Sequence, residues 1–142
     1  MADWDRRFLD LAAEIGSWSK DPSTKVGCVI VDELRRPLSF GYNGFPRGVA
    51  DTKEAWTDHA LKHKLVIHAE WNAILNATAD LTGSTVYVTQ HPCIRCAVVL
   101  QQAGVDRVVC PVPTAEKAER HGEDYLLVQS MFRERGITFV TV

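Results

Sequence analysis

One histidine and two cysteines in this chain are spaced as three ligands of a metal ion. His68 stands in the sequence His-Ala-Glu, and Cys93 and Cys96 stand in the sequence Pro-Cys-Ile-Arg-Cys. One imidazole and two thiolates are one ligand short of the four that close a structural zinc site, so a fourth position is open for water. Glu70, two residues after His68, is placed to exchange protons with that water. The spacing therefore predicts a hydrolytic metal centre.

Zinc is the metal that this set of donor atoms favours. Nitrogen and sulfur ligands suit Zn²⁺, whereas Mg²⁺ and Ca²⁺ prefer oxygen ligands. Bound zinc lowers the pKa of a water ligand from about 15.7 to about 7, which makes hydroxide available at neutral pH. The order His-x-Glu and then Pro-Cys-x-x-Cys is a signature of zinc nucleobase deaminases. We therefore expect attack on an amidine-like carbon, with Glu70 moving protons to a ring nitrogen and to the leaving amine.

The cysteine pair has two other interpretations that the residues alone leave open. A Cys-x-x-Cys pair can be a redox dithiol or one half of a structural zinc site. Cys28 or Cys110 is a candidate fourth ligand that would close such a site. The combination of His-x-Glu with Pro-Cys-x-x-Cys, separated by one predicted strand, favours a catalytic zinc ion over both alternatives.

The other four histidines have simpler interpretations. His59 and His63 lie four residues apart in a polar segment and are predicted to be solvent-exposed. His121 is also predicted to lie on the surface. His91 is next to the cysteine motif, which makes it a candidate for the wall of the substrate pocket.

Both parts of the metal motif are predicted to lie where a helix begins. His68 precedes an alanine-rich helical pattern over 68–79, and a second helical pattern covers 93–103. Pro92 is typical of a first helical turn, where its missing N–H would be unpaired in any case. Two cysteines three residues apart project to the same side of a helix, and the positive end of the helix favours the thiolate form that zinc needs.

Strand patterns alternate with helical patterns along the whole chain. The predicted helices cover 3–19, 68–79, 93–103 and 116–135, with Asp3 and Gly136 as their outermost caps. The predicted strands cover 26–31, 38–42, 84–89, 105–110 and 137–142, the first two forming a hairpin. The polar residues 51–64 are predicted to be partly helical. This alternation predicts one α/β domain over residues 1–142, with helices covering a central sheet.

The composition disfavours nucleic-acid-binding and membrane proteins. The chain has 142 residues, of which 46% are hydrophobic and 24% are charged, as in a globular domain. A net charge of −2 and a pI of about 6.2 disfavour nucleic acid as the main partner. No apolar run approaches the roughly 18 residues of a membrane helix, and the first residues contain no signal region. We therefore expect no membrane partner and a cytoplasmic location, where thiols stay reduced.

Several segments resemble deoxycytidylate (dCMP) deaminases, within the cytidine deaminase-like superfamily. The similarity extends over about 4–142 and rests on the segments 21–27, 41–48, 68–74, 92–97 and 102–104. The zinc motif marks the superfamily, and the Gly-Tyr-Asn-Gly-x-Pro loop narrows the match to the dCMP branch. The resemblance implies a three-layer α/β domain with a mixed five-stranded sheet flanked by helices. It also implies a Zn²⁺ cofactor and hydrolysis of dCMP to dUMP and ammonia, with attack by zinc-bound hydroxide at C4.

The resemblance also implies which residues contact the substrate. Asn43 would bind the sugar, since an amide can donate to and accept from a hydroxyl group. The backbone of Ala69 would contact the edge of the base. The candidates for contact with the phosphate are Ser23, Thr24, Lys25 and Arg47. The implied partner is a small-molecule nucleotide, and the family implies a homo-oligomer, often a hexamer.

One departure from the family pattern leaves the substrate open. Cys110, followed by Pro-Val-Pro, stands where family members usually carry an aromatic residue close to the base or to a neighbouring subunit. The alternatives to dCMP are a 5-substituted dCMP, cytidine, deoxycytidine or another free base. Adenosine in tRNA is disfavoured by the loop around Asn43 and by the acidic pI. A non-catalytic zinc module is disfavoured by Glu70, because such a module needs no carboxylate beside an open zinc position.

Overall fold

The computed structural model describes residues 3–142, and its elements follow the order that the sequence predicts. The helices are α1 (Trp4–Gly16), α2 (Lys53–Thr57), α3 (His59–Leu65), α4 (Ala69–Asn76), α5 (Ile94–Gln102) and α6 (Ala115–Arg135). The strands are β1 (Gly27–Val31), β2 (Pro37–Tyr42), β3 (Thr85–Val88), β4 (Arg107–Cys110) and β5 (Thr138–Thr141). Residues 1 and 2 lie outside the described residues. They belong to the segment in which the sequence shows no signal region. Among the helices from residue 3 onward, none has the length and apolar character needed to span a bilayer.

The five strands form one mixed sheet, as the family resemblance implies. Their order is β2-β1-β3-β4-β5, in which β1 is antiparallel to both β2 and β3. The strands β3, β4 and β5 are parallel to one another. Parallel neighbours need a crossover connection, and α5 and α6 provide it here. Both helices therefore begin at the same edge of the sheet, beyond the carboxyl ends of β3 and β4.

The sheet has helices on both faces because successive strand residues point to opposite sides. On one side α1 covers an apolar cluster that includes Val29, Val31, Tyr87 and Val109. The other side carries a larger cluster with residues from α4, α5 and α6, all packed on the alternate residues of the same strands. Across this second face the three helices lie in the order α4, α5, α6, since α5 packs against both of the others.

Two predicted helix caps are present. The Asp3 side chain accepts a hydrogen bond of 3.0 Å from the backbone N–H of Arg6 and so caps α1. Gly136 ends α6 with a φ of 83°, in the left-handed region that favours glycine. These local signals explain why the sequence located both outer helices closely.

Helix α4 lies against β2 at a distance that only glycine permits. A Cβ atom on Gly41 would stand 2.4 Å from the backbone nitrogen of Ala73 and 2.7 Å from the carbonyl oxygen of Ala69. The hydroxyl of Ser39 also donates a 2.6 Å hydrogen bond to the carbonyl of Ala73. This close packing determines the position of α4, the helix that begins directly after His68.

We predict that Gly41→Ala lowers the free energy of unfolding by about 1–3 kcal/mol, because the new methyl group overlaps backbone atoms that cannot move independently. Urea denaturation followed by circular dichroism measures this change. The matched control is Gly44→Ala, since a Cβ at Gly44 has no atom within 4 Å. Equal stability of the two variants would contradict the prediction.

Candidate active site

Three side-chain atoms of the predicted metal motif lie close together. The Nδ1 atom of His68 is 3.5 Å from Sγ of Cys93 and 3.3 Å from Sγ of Cys96. All three ligand atoms lie within 4.8 Å of one another. A tetrahedral zinc ion with bonds of about 2.1 Å to nitrogen and about 2.3 Å to sulfur separates its ligands by about 3.6 Å. The arrangement therefore fits one zinc ion with a fourth position left over.

The structure places both parts of the motif where a helix begins, as the sequence predicts. His68 is the N-cap residue of α4 and makes no capping hydrogen bond with its side chain, so the imidazole is available to a metal. Cys93 is the N-cap residue of α5, and its Sγ accepts a hydrogen bond of 3.5 Å from the backbone N–H of Cys96. Both ligand sets therefore lie at the positive ends of helices, where negative charge is stabilised.

The two thiols compete for one negative charge. The Cys96 thiol donates a hydrogen bond that lowers the pKa of Cys93 far below the usual thiol value, and His68 lowers it further. The same contact, together with burial, raises the pKa of Cys96. A divalent cation between the sulfur atoms would offset the repulsion between two thiolates, and this is the donor chemistry of zinc.

Glu70 is a buried carboxyl group beside this cluster. It lies in the first turn of α4 and is only 4% exposed. Burial raises the pKa of Glu70 to about 7, although its own backbone N–H acts in the opposite direction. A carboxyl group with this pKa can hold or release a proton at neutral pH, which is what a proton shuttle requires.

Two residues of the cluster, His68 and Cys93, line a cavity of about 290 Å³ together with Glu70. This volume is near the lower end of the range that small-molecule pockets occupy. Ala69, Asn43 and Thr24 line the cavity among the predicted substrate contacts. Within the described part of the chain, Ser23, Lys25 and Arg47 do not belong to the lining.

Asn43 joins two loops that border the cavity. Its Oδ1 atom accepts a 2.9 Å hydrogen bond from the backbone N–H of Val26. Its Nδ2 atom donates to the carbonyl of Thr24 at 2.9 Å and to Oδ2 of Asp21 at 3.3 Å. Both amide hydrogens are therefore committed to the protein, and one lone pair of Oδ1 is left for a ligand.

A buried ion pair supports the same loops. Asp21 is 2% exposed, and its Oδ1 and Oδ2 atoms lie 3.0 and 2.9 Å from Nζ of Lys62. The ammonium group also donates to the hydroxyl of Ser23 at 3.0 Å. Burial acts to raise the pKa of Asp21, but hydrogen bonds from Lys62 and from the loop backbone lower it overall. The donors of Lys62 are therefore used within the protein, and its charge is balanced by Asp21.

Several titratable side chains that line the cavity were not predicted as site residues. His63 on α3 and Lys117 and His121 on α6 all line the cavity. The two histidines are exposed, as expected, yet they face the site. Lys117 and His121 are four residues apart and so share one face of α6. The four-residue spacing of Lys117 and His121 could have indicated that they act together. It does not show which face of α6 is turned toward the metal cluster.

His91 and Tyr125 form an aromatic wall on one side of the cavity. The two rings stack with centroids 3.8 Å apart and an angle of 20° between their planes. Nδ1 of His91 is 2.9 Å from the carbonyl oxygen of Pro92, and Nε2 is 3.2 Å from Nε2 of Gln129. Burial lowers the pKa of His91, so a neutral ring donates through Nδ1 and accepts through Nε2. The expectation that His91 lines the pocket is confirmed.

The proposed fourth-ligand cysteines lie apart from the metal cluster. Cys28 and Cys110 are free and buried, and neither belongs to the group of close ligand atoms. Burial, followed by the nearby charge of Glu70, raises the pKa of both thiols. Their thiol forms contribute to the apolar core of the larger cluster. The ligand set of the described residues thus remains at three.

Comparisons with known proteins agree with this geometry. The family model of the cytidine and deoxycytidylate deaminase zinc-binding region matches residues 2–112. An uncharacterised deaminase encoded 3′ of luxG in Aliivibrio fischeri is 42% identical, over 96% of this chain and 92% of its own. The deoxycytidylate deaminase of Mus musculus is 34% identical, over 96% of this chain and 78% of its own. The fold matches that of the dCMP deaminase from cyanophage S-TIM5, solved with dCMP and dUMP, with a TM-score of 0.77 and 21% identity over 100% of this chain and 98% of that one.

We predict that the purified protein contains about one zinc ion per chain and that Cys96→Ser abolishes this binding, because one of three ligands is lost. Elemental analysis after dialysis measures the zinc content. The matched control is Cys28→Ala, which also removes a buried thiol but lies outside the cluster. Loss of zinc from the Cys28 variant alone would contradict this assignment of the ligands.

Proposed function

This chain belongs to the cytidine and deoxycytidylate deaminase family, and from that membership we propose that it hydrolyses dCMP to dUMP and ammonia with bound Zn²⁺. The observation that carries the proposal is a cluster of three metal-ligand atoms beside a buried carboxyl group, with His68, Cys93 and Glu70 lining one cavity. Relatives named deoxycytidylate deaminases support the nucleotide as substrate, since one of them is similar over 96% of this chain.

We assign His68, Cys93 and Cys96 as the zinc ligands, and Glu70 as the proton shuttle. When bound there, zinc would supply the Lewis-acid chemistry that makes water nucleophilic at neutral pH. Glu70 takes one proton from the attacking water and delivers it to N3 of cytosine. It then takes the second proton from the hydroxyl group newly attached to C4 and delivers it to the amino group, which leaves as ammonia when the C4–N bond breaks. Because Glu70 is buried, it exchanges protons with the substrate rather than with bulk water.

Two groups beside the cluster are proposed to orient the nucleoside. The backbone N–H of Ala69 belongs to the first turn of α4, where it has no partner within the helix, and it would donate to the base. The remaining lone pair of Asn43 Oδ1 would accept a hydrogen bond from a sugar hydroxyl. The hydrogen bonds to Val26, Thr24 and Asp21 support this role, because they hold the side-chain amide of Asn43 in one orientation. The free lone pair of Oδ1 therefore has a defined direction.

The phosphate is proposed to contact the mouth of the cavity. Two helices present hydrogen-bond donors to a phosphate in the cavity, α6 through Lys117 and His121 and α3 through His63. The hydroxyl group of Thr24 is a further donor. Of the phosphate contacts that the sequence suggested, Ser23 already binds Lys62, and Lys25 donates to the carbonyl of Ser19. Arg47 is exposed and lies outside the lining, so the cavity offers no support for a contact between Arg47 and the phosphate.

Three broader assignments remain proposals. We propose that residues 1–142 form a single deaminase domain, which is supported by the one sheet that contains every strand of the described chain. A cytoplasmic location is supported by four free thiols, since such residues suit a reducing compartment. A homo-oligomer such as a hexamer is supported by the exposed aromatic side chains of Trp18, Phe40 and Tyr42, which pack together beside the edge strand β2.

We predict that the zinc-loaded protein releases ammonia from dCMP and that Glu70→Gln lowers kcat by a factor of about 10²–10⁴ while zinc stays bound. The amide keeps the shape of the side chain but carries no exchangeable proton of suitable pKa. A panel of dCMP, CMP, deoxycytidine, cytidine and 5-methyl-dCMP, with ammonia as the readout, tests the substrate. The absence of turnover with every cytosine compound would refute the proposed function, and full activity of the Glu70 variant would refute its role.

We predict that Lys117→Ala raises KM for dCMP about tenfold or more with little change in kcat, because a charge-assisted hydrogen bond to the phosphate is lost. Steady-state kinetics with dCMP and with deoxycytidine distinguish this loss from general damage, since the nucleoside carries no phosphate and its KM should not change. Arg47→Ala is the control cation outside the cavity. A larger effect of Arg47→Ala than of Lys117→Ala would overturn the assignment.

A further inference from the structure

Tyr125 is the innermost cavity-lining residue of α6 and has little freedom to move. It is 9% exposed, and its ring is stacked on the ring of His91. His91 is itself held by hydrogen bonds at both nitrogen atoms, and its ring also contacts Phe139 with a centroid distance of 5.0 Å. A side chain packed in this way cannot move aside for a larger ligand without breaking contacts in the core.

Glu70 and Tyr125 belong to two helices that lie on either side of α5. Glu70 is on α4, which packs against β1 and β2, whereas Tyr125 is on α6, which packs against β5. Between these helices lies α5, which carries Cys96 and begins after Cys93. A substrate at the cluster therefore has the carboxyl group on one side and the aromatic wall on the other.

This arrangement determines which edge of a cytosine ring faces the wall. The reacting carbon, C4, must lie at the open position of the metal cluster, and Glu70 must reach N3 and the leaving amine. The N3 edge of the ring is thus turned toward α4. Since C5 is the other ring neighbour of C4, the C5 edge is turned away from Glu70 and toward α6.

We propose that Tyr125 is a specificity-determining residue that packs against the C5 edge and restricts the enzyme to cytosine without a substituent at C5. The inference rests on the proposed function and deepens it by choosing dCMP over 5-substituted dCMP. It also places an aromatic ring of α6 beside the cavity, although the end of β4 carries Cys110 in place of an aromatic residue.

The test compares kcat/KM for dCMP with kcat/KM for 5-methyl-dCMP. The protein with its native sequence should prefer dCMP by about tenfold or more, because one extra methyl group against a rigid wall is discriminated by factors of about 10–200. Tyr125→Ala opens the wall and should lower this ratio about tenfold. Tyr125→Phe keeps the ring and should leave the ratio within about twofold.

A binding measurement makes the result independent of turnover. Titration calorimetry with the two products, dUMP and 5-methyl-dUMP, should give the same order of preference, and Tyr125→Ala should reduce it. Leu126→Ala is the matched control, because the neighbouring side chain on the same helix is 68% exposed. Tyr125→Leu, which keeps an apolar side chain, repeats the test if the alanine variant does not fold.

The outcomes separate the inference from the function on which it rests. Turnover of dCMP with an unchanged ratio in Tyr125→Ala and Tyr125→Leu would overturn the inference and leave the proposed function intact. An equal effect of Leu126→Ala on the ratio would also overturn it. Failure of every cytosine nucleotide to react or to bind would refute both.

Discussion

The candidate site depends on two helices, α4 and α5, whose first residues lie side by side. The helix α4 follows His68 and the helix α5 follows Cys93, which brings three ligand atoms within 4.8 Å of one another. Two thiols and a buried carboxyl group in this volume cannot all carry negative charge without a cation, as the opposite pKa shifts of Cys93 and Cys96 indicate. The close approach of α4 to β2 at Gly41 keeps this geometry in place.

A second buried charge organises the opposite border of the cavity. The carboxylate of Asp21 receives hydrogen bonds from Lys62, from the Asn43 amide and from the backbone of its own loop. Removing one partner from a buried pair leaves an uncompensated charge, so such a pair holds its surroundings in one arrangement. The loop at 21–26, the loop after β2 and helix α3 therefore form one unit, which supports the side of the cavity away from α6.

The predicted elements agree with the structure because each depends on short-range patterns. Asp3 at the start of α1 and Gly136 at the end of α6 act through their own backbone neighbours, and both signals can be recognised in the sequence. Strand order is different, since it pairs residues that are far apart, such as Cys28 with Val88. The periodicity of the sequence predicted where the strands lie. Their arrangement in a mixed sheet was predicted only by the resemblance to a known family.

The sequence by itself determined the metal chemistry of this protein. A spacing of three between Cys93 and Cys96, or of two between His68 and Glu70, has its consequence within one helical turn. Only the tertiary structure decided which side chains line the cavity. His63 lies on α3, whereas Lys117 and Tyr125 lie on α6, and the folded chain brings all three to one cavity. Arg47 is exposed and lies outside that cavity. The physical reason is that the direction of a side chain follows from how its helix or loop packs, and that packing joins residues distant in the chain.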